Sequence, residues 1–317
     1  MAEQKFYTPL KIGLLIATIA YFLFTLHATF TLEWIGEWDR IAGGAVRTAI
    51  LVEDVMAFVC LVFRFAASII ALAAVIYYFA KKSISKQATY RILRVVVIFE
   101  AIYWLGLAAT TYFTVVGFAR TVATQPIAVV LQSLAIGVIP SVVEAIILPI
   151  VLFILAYKLS PNKPLNGVIR WAIISGIFYV LSFWLVYSSI WIGVVQQKGV
   201  EYLTARPENI LSFALTLGGL VALAIYMTYF AIKSRRAQTF GDLKVGTLGV
   251  IILALGMYFL WNYLSWAILA GNQWNDWYAM FLGHNLDLWM LSLVLVGLPL
   301  LFYRREKLEG QSDSSKL

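Results

Sequence analysis

Long apolar runs dominate this chain, and short polar connections separate them. The hydrocarbon core of a bilayer is about 30 Å thick and needs about 20 helical residues to cross it. Eight runs reach that length: 10–29, 51–80, 92–118, 129–157, 167–195, 209–232, 245–270 and 283–303. The runs are too long for barrel strands and lack their alternating pattern. The pattern therefore predicts an all-α, polytopic membrane bundle of eight transmembrane helices.

The composition agrees with this pattern and excludes other classes of protein. Of the 317 residues, 62% are apolar and only 13% are charged, and the mean hydropathy is +0.86. Soluble domains are nearer to half apolar and a quarter charged. The single cysteine, Cys60, excludes an internal disulfide. We predict one transmembrane domain over 1–305 and a short disordered cytoplasmic tail over 306–317.

The distribution of basic residues predicts the orientation. Of the 24 lysines and arginines, 18 lie in the N-terminal segment, the connections 81–91, 158–166 and 233–244, the tail, and the adjoining helix ends. Five lie in the alternate connections, and Arg64 lies within a span. Cytoplasmic loops carry the excess of Lys and Arg. The bias places both termini in the cytoplasm and the chain in the cell membrane, and it explains the net charge of +8 without a nucleic-acid partner.

Predicted helical hairpins begin near residues 10, 91, 167 and 245, with a period of about 75–80 residues, and each carries a short motif. Tyr-x-Leu begins at Tyr21, Tyr103, Tyr179 and Tyr258, each near the middle of an odd-numbered span. Four tandem helical hairpins would produce this pattern, and several transporter folds are built from repeats. Chance recurrence is the alternative, because aromatic residues and leucine are frequent here.

Three charged residues lie well inside the apolar runs, away from their ends. Charged side chains inside a bilayer are costly and usually face the bundle interior. Arg64, Glu100 and Glu144 lie on spans two, three and four, and an arginine between two carboxylates could hold one of them ionised. The second carboxylate would then be a proton or cation carrier. Pro140 and Pro149 flank Glu144 and predict a broken helix, as at transporter ion sites. The alternative is an ion network that only locks three helices together.

Span two carries a polar stripe that starts near its outer end. Glu53, Cys60, Arg64 and Ser68 share one helix face by their spacing, and Asp54 lies on the neighbouring face. The stripe predicts either a hydrated path, with Glu53 and Asp54 at its outer mouth, or a seam against neighbouring helices.

The only two histidines, His27 and His284, both lie near the predicted outer surface. Asp287 follows His284 at i+3, so both point to one face. These three residues could bind a transition metal or support acid–base chemistry. Interfacial histidines are more often ordinary polar groups, and the phosphate-binding, dinucleotide and zinc-protease motifs are absent. We therefore predict no cofactor.

Together these features favour a carrier or channel for a small solute or ion, rather than an enzyme. Its polar path would involve Arg64, Glu100 and Glu144. Two alternatives stay open: a non-catalytic membrane subunit of a larger complex, and a membrane-embedded lipid-modifying or metal-dependent enzyme. The expected partners are the lipid bilayer and either other membrane subunits or further copies of this chain.

Overall fold

The computed structural model describes residues 2–30, 48–81, 86–106, 108–134, 138–205 and 207–234, together with 251, 252 and 254. Within these ranges the protein is all-helical and contains no strand. Apart from those last three residues, the predicted spans 245–270 and 283–303 lie outside the described residues. The predicted tail, 306–317, lies outside them as well.

The helical elements follow the apolar runs. The α-helices are α1 (Ala2–Phe30), α2 (Thr48–Lys81), α3 (Lys86–Gly106), α4 (Ala108–Thr124), α5 (Ile127–Ser133), α6 (Ile139–Val142), α7 (Leu148–Lys158), α8 (Leu165–Lys198), α9 (Glu201–Thr204), α10 (Pro207–Ala214) and α11 (Leu220–Lys233). Two π-helical segments continue α6 into α7 and α10 into α11: π1 (Val143–Ile147) and π2 (Leu215–Gly219). Each of the first six predicted spans is therefore helical over most of its length.

Proline and glycine fix the ends of the long helix α8. Pro164, in extended conformation, immediately precedes the first residue of α8. Proline is tolerated at the start of a helix, because the N–H that it lacks would have no partner within the helix there. Gly199 ends the helix with a φ of 77°, a left-handed conformation that costs glycine little. Its N–H donates to the Val195 carbonyl over 2.9 Å, which satisfies a carbonyl of the last turn.

The helices pack in sequence: α1 on α2, α2 on α3, α3 on α7, α7 on α8, and α8 on α11. Small residues such as Ala17, Ala67 and Ala71 are buried in the core and allow close approach of the helices. Large buried residues, among them Tyr21 and Tyr179, fill the space between them.

The two faces of α1 illustrate how residues are sorted in this bundle. Its buried face consists of Leu14, Ala17, Thr18, Tyr21 and Thr25. Its exposed face is formed by large aliphatic residues at helical spacing: Ile12, Ile16, Ile19 and Leu23. Polar groups therefore point inward, and the outward face is apolar.

Within the described residues, one helical segment has the length and composition needed to cross a membrane, namely the 22 residues Val59–Ala80 of α2. A buried helix of a soluble protein can meet the same criterion. The remaining apolar segments are shorter: Lys11–Leu23, Val115–Thr124, Asn166–Ser182 and Leu217–Lys233. The other crossings predicted within the described residues do not meet the criterion, and the eight-span arrangement stays a prediction.

Candidate functional site: a buried polar layer

An ion pair joins α2 to α3 in the centre of the bundle. Arg64 Nη2 lies 2.8 Å from Glu100 Oε1, and the two side chains are 1% and 0% exposed. Breaking a buried pair by removing one partner is strongly destabilising, because the other charge is left without compensation. The pair therefore holds α2 and α3 in a fixed register.

Tyr21 of α1 brings a third helix to this pair. Its hydroxyl donates to Glu100 Oε2 over 2.8 Å. Each oxygen of the carboxylate thus has a different partner, a guanidinium on one and a phenol on the other. Hydrogen bonds to ionised groups are stronger than those between neutral groups. Glu100 therefore ties α1 and α2 to α3.

Aromatic rings enclose the guanidinium. Arg64 Cζ lies 4.0 Å from the ring centroid of Tyr103 and 5.7 Å from that of Trp104. Trp104 Nε1 in turn donates to the Tyr179 hydroxyl of α8 over 3.1 Å. A planar guanidinium stacks on aromatic faces better than an ammonium does, which suits arginine to this site.

Three tyrosines of the recurring Tyr-x-Leu motif meet in this layer. Tyr21 bonds Glu100, Tyr103 lies against Arg64, and Tyr179 accepts from the adjacent tryptophan. Tyr258, the fourth, lies outside the described residues. The sequence signalled these positions only as a repeat, and the structure places three of them around the ion pair.

Glu144 lies on π1, where the fourth predicted span departs from α-helical geometry. The Leu148 N–H donates to the Val143 carbonyl, a bond from residue i to residue i−5 that widens the turn. Pro149 follows in the first turn of α7 and lacks a backbone donor. The interruption thus coincides with the segment that Pro140 and Pro149 flank.

The Glu144 side chain is half-buried, and the Ser182 hydroxyl of α8 donates to its Oε1. A hydroxyl can donate to a carboxylate and can also accept from a carboxylic acid. Ser182 can therefore stay bonded to Glu144 whether or not that side chain carries a proton.

Glu100 and Glu144 lie at a similar depth along the bundle. Each is about 14 residues from the basic end of its helical run, Lys86 or Lys158, which corresponds to about 21 Å. The helix α3 contacts π1, so the two carboxylates belong to neighbouring elements. We call Arg64, Glu100, Glu144 and the surrounding Tyr21, Tyr103, Trp104, Tyr179 and Ser182 the polar layer.

The stripe predicted on span two is buried where its side chains are described. Cys60, Arg64 and Ser68 all face the core. The Thr25 hydroxyl donates to Ser68 Oγ over 2.6 Å, so this part of the stripe is in contact with α1. Glu53 and Asp54 belong to α2, but their side chains lie outside the described residues, as does any outer mouth that they would form.

The histidine hypothesis falls mainly outside the described residues. His27 belongs to α1, but its side chain is not described, and His284 and Asp287 lie in an undescribed part of the chain. Among the described side chains, no group of three or more His, Cys, Asp and Glu residues could hold a metal ion.

Comparisons with protein families, with curated proteins and with solved structures found no match to this chain.

Five residues of the polar layer were missed as site residues: Tyr21, Tyr103, Trp104, Tyr179 and Ser182. The Tyr-x-Leu motif marked the three tyrosines without indicating a role. Ser182 lies three residues after Tyr179 and therefore on a neighbouring part of the same helix face. An ordinary serine in an apolar run gives no signal of its carboxylate partner.

Proposed function

We propose that this chain is a multi-pass membrane carrier or channel for a small solute or ion, with eight spans and both termini in the cytoplasm. Glu144 binds and releases the transported or coupled cation, a proton in the simplest case. The observation that carries the proposal is a half-buried carboxylate on a π-helical interruption at the depth of a buried ion pair.

The inverted distribution of side chains supports the membrane environment. Exposed apolar residues cover the outward faces of several helices in addition to α1: Ile146, Ile150 and Phe153 on π1 and α7, and Ile225, Tyr229 and Ile232 on α11. Soluble monomers rarely expose large contiguous apolar patches. Contact between these apolar faces and lipid would have no free-energy cost, whereas contact with water would be unfavourable.

The two parts of the polar layer then have different tasks. The Arg64–Glu100 pair, with Tyr21, joins three helices and stays fixed. Glu144 changes its protonation state or its bound cation, because Ser182 can hydrogen-bond both forms of the carboxyl group. The π-helical turn π1 carries Glu144, and such turns occur frequently at functional sites.

Proton movement into proteoliposomes tests this proposal without knowledge of the solute. A potassium diffusion potential set with valinomycin drives protons inward, and a trapped pH-sensitive dye reports them. We expect acidification with the unmodified protein and at least a tenfold lower rate with Glu144→Gln, as expected when the proton-binding group is removed. The matched control is Glu201→Gln, an exposed carboxylate in a connection, which should leave the rate unchanged.

Equal proton rates for Glu144→Gln and the unmodified protein would remove Glu144 from the mechanism.

The topology has its own test in a Cys60→Ala background. An impermeant maleimide should label Val200→Cys in intact cells and Asn162→Cys only after permeabilisation, since the two connections are predicted on opposite sides. Labelling of both from outside would contradict the orientation.

The non-catalytic subunit is the second candidate, and the complete burial of Arg64 and Glu100 favours it. A wholly enclosed ion pair stabilises a bundle without taking part in transport. Purification in a mild detergent separates the candidates: a subunit co-elutes with stoichiometric partner chains, and a carrier active alone in proteoliposomes needs none.

A further inference from the structure

Two buried polar atoms in the outer half of the predicted span 167–195 lack a hydrogen-bond partner. They are Trp184 Nε1 and Ser188 Oγ, and the Ser188 side chain is only 7% exposed. Two other serines of α8 are satisfied: Ser175 donates to the Trp171 carbonyl over 2.8 Å, and Ser182 donates to Glu144. Ser188 does not use the carbonyl one turn back, although helical serines commonly do.

The two atoms belong to one face of α8. Residues four apart on a helix are neighbours, so Trp184 and Ser188 lie on successive turns. Trp191 continues this face, and its ring centroid lies 6.1 Å from that of Phe213 on α10, edge to face. Ser182, only two residues from Trp184, points to the opposite side of the helix. This face is therefore distinct from the polar layer.

The chemistry of the two groups limits what they can bind. An indole N–H can only donate, and a serine hydroxyl can donate as well. A buried hydrogen-bond donor without a partner is unfavourable in free energy. Binding of a molecule that supplies an acceptor would therefore be stabilised by hydrogen bonds from these two donors. An anion would additionally need a compensating cation in this apolar surrounding. An uncharged carbonyl oxygen, with two lone pairs, meets the requirement at lower cost.

We propose that Trp184 and Ser188 form a binding site for an uncharged carbonyl group, next to the aromatic pair Trp191 and Phe213. The carbonyl belongs either to a solute that enters from the outer side or to the ester of a phospholipid. The site rests on the membrane placement of α8 proposed above, but it does not require transport.

The Trp184 indole proton reports occupancy directly. The protein is labelled with ¹⁵N at its indole nitrogens, placed in lipid nanodiscs, and the Trp184 resonance is assigned by its loss in Trp184→Phe. Cyclohexanone and methylcyclohexane then serve as probes of similar shape, one with a carbonyl and one without. We expect a saturable downfield shift of the Trp184 indole proton with cyclohexanone and none with methylcyclohexane.

The variant Ser188→Ala should weaken the apparent affinity for cyclohexanone roughly three- to tenfold, since it removes one of two donors. Ser175→Ala, whose hydroxyl bonds its own helix, should leave the affinity unchanged. If Ser188→Ala does not fold, titration of the unmodified protein with the two probes, followed by the Trp184 resonance, still tests the proposal.

The source of the carbonyl is decided by the lipid. Ester-linked phosphatidylcholine contains carbonyls, and its ether-linked analogue does not. A downfield Trp184 resonance in ester lipid alone identifies the lipid as occupant. A resonance that is equal in both lipids and moves only with cyclohexanone identifies a solute site. Equal shifts with both probes, or a resonance unmoved by either probe and identical in both lipids, would overturn the proposal whatever the proton measurements show.

Discussion

Glu100 and Glu144 are the same residue type at a similar depth in one bundle, but their surroundings differ. Glu100 lies on the regular helix α3, is 0% exposed, and is held by Arg64 and Tyr21. Glu144 lies on π1, is half-buried, and accepts from Ser182. The two carboxylates therefore differ in their partners and in their backbone geometry, although they are the same residue type.

The partners of Glu100 favour a single charge state. A guanidinium stays protonated under all ordinary conditions, so it stabilises the carboxylate and opposes its protonation. The Ser182 hydroxyl has no such preference because it can reverse its hydrogen bond. Accordingly, substitutions at Glu100 and its partners should affect stability most, and changes near Glu144 should affect activity more than stability.

The largest expected effect on stability is that of Arg64→Ala. It leaves Glu100 buried without its cation and should lower the free energy of unfolding by about 3–5 kcal/mol. Unfolding in mixed detergent micelles and recovery from size-exclusion chromatography measure this loss. Arg91→Ala, at an exposed position of α3, should change stability by no more than about 0.5 kcal/mol.

The double variant Arg64→Met with Glu100→Leu distinguishes two causes of lost stability: a buried charge without its partner, and lost packing. Replacing both partners of a buried pair by apolar residues is often neutral. The double variant should therefore be clearly more stable than Arg64→Ala. If the two are equally unstable, the ion pair is not what makes Arg64 important.

A smaller loss is expected for Tyr21→Phe, which removes only the phenol donor to Glu100. Hydrogen bonds to charged groups contribute about 1.5–3 kcal/mol, and unfolding in the same micelles should show a loss in that range. Tyr226→Phe, at an exposed tyrosine, is the matched control and should be neutral. A Tyr21→Phe protein as stable as its control would mean that Glu100 does not depend on α1.

The smallest effect on stability is expected for Pro149→Ala. The new N–H can bond the carbonyl four residues back, so the segment shifts from π- towards α-helical geometry. Stability changes by at most about 1 kcal/mol, the size of effect found when proline is exchanged at a position that both residues can adopt. Proton flux should fall several-fold because Glu144 rotates away from Ser182. Pro207→Ala, at the first residue of α10, should change neither quantity. A normal proton flux in Pro149→Ala would show that the π-helical geometry of π1 is not needed for proton movement.

Much of the helical arrangement could be predicted from the sequence, because long apolar runs, Pro164 and Gly199 act locally. The prolines around Glu144 also predicted a broken helix, and π1 lies between them. The second interruption, π2, was not predicted. Gly218 and Gly219 lie in this segment, and glycine in a helix does not specify which backbone register it adopts.

The candidate site could be predicted only in part. The charged residues stood out because apolar runs contain so few, and Arg64 and Glu100 do form a pair. Which helices become neighbours depends on packing between distant segments. For that reason neither the bond from Tyr21 to Glu100, 79 residues apart in sequence, nor that from Ser182 to Glu144 could be derived from local pattern.

The division of roles between the two carboxylates can be measured in one sample. Dicyclohexylcarbodiimide is an apolar reagent that modifies protonated carboxyl groups in membranes, and peptide mapping by mass spectrometry locates the adduct. We predict modification at Glu144 and none at Glu100. An adduct at Glu100, with Glu144 unmodified, would contradict it.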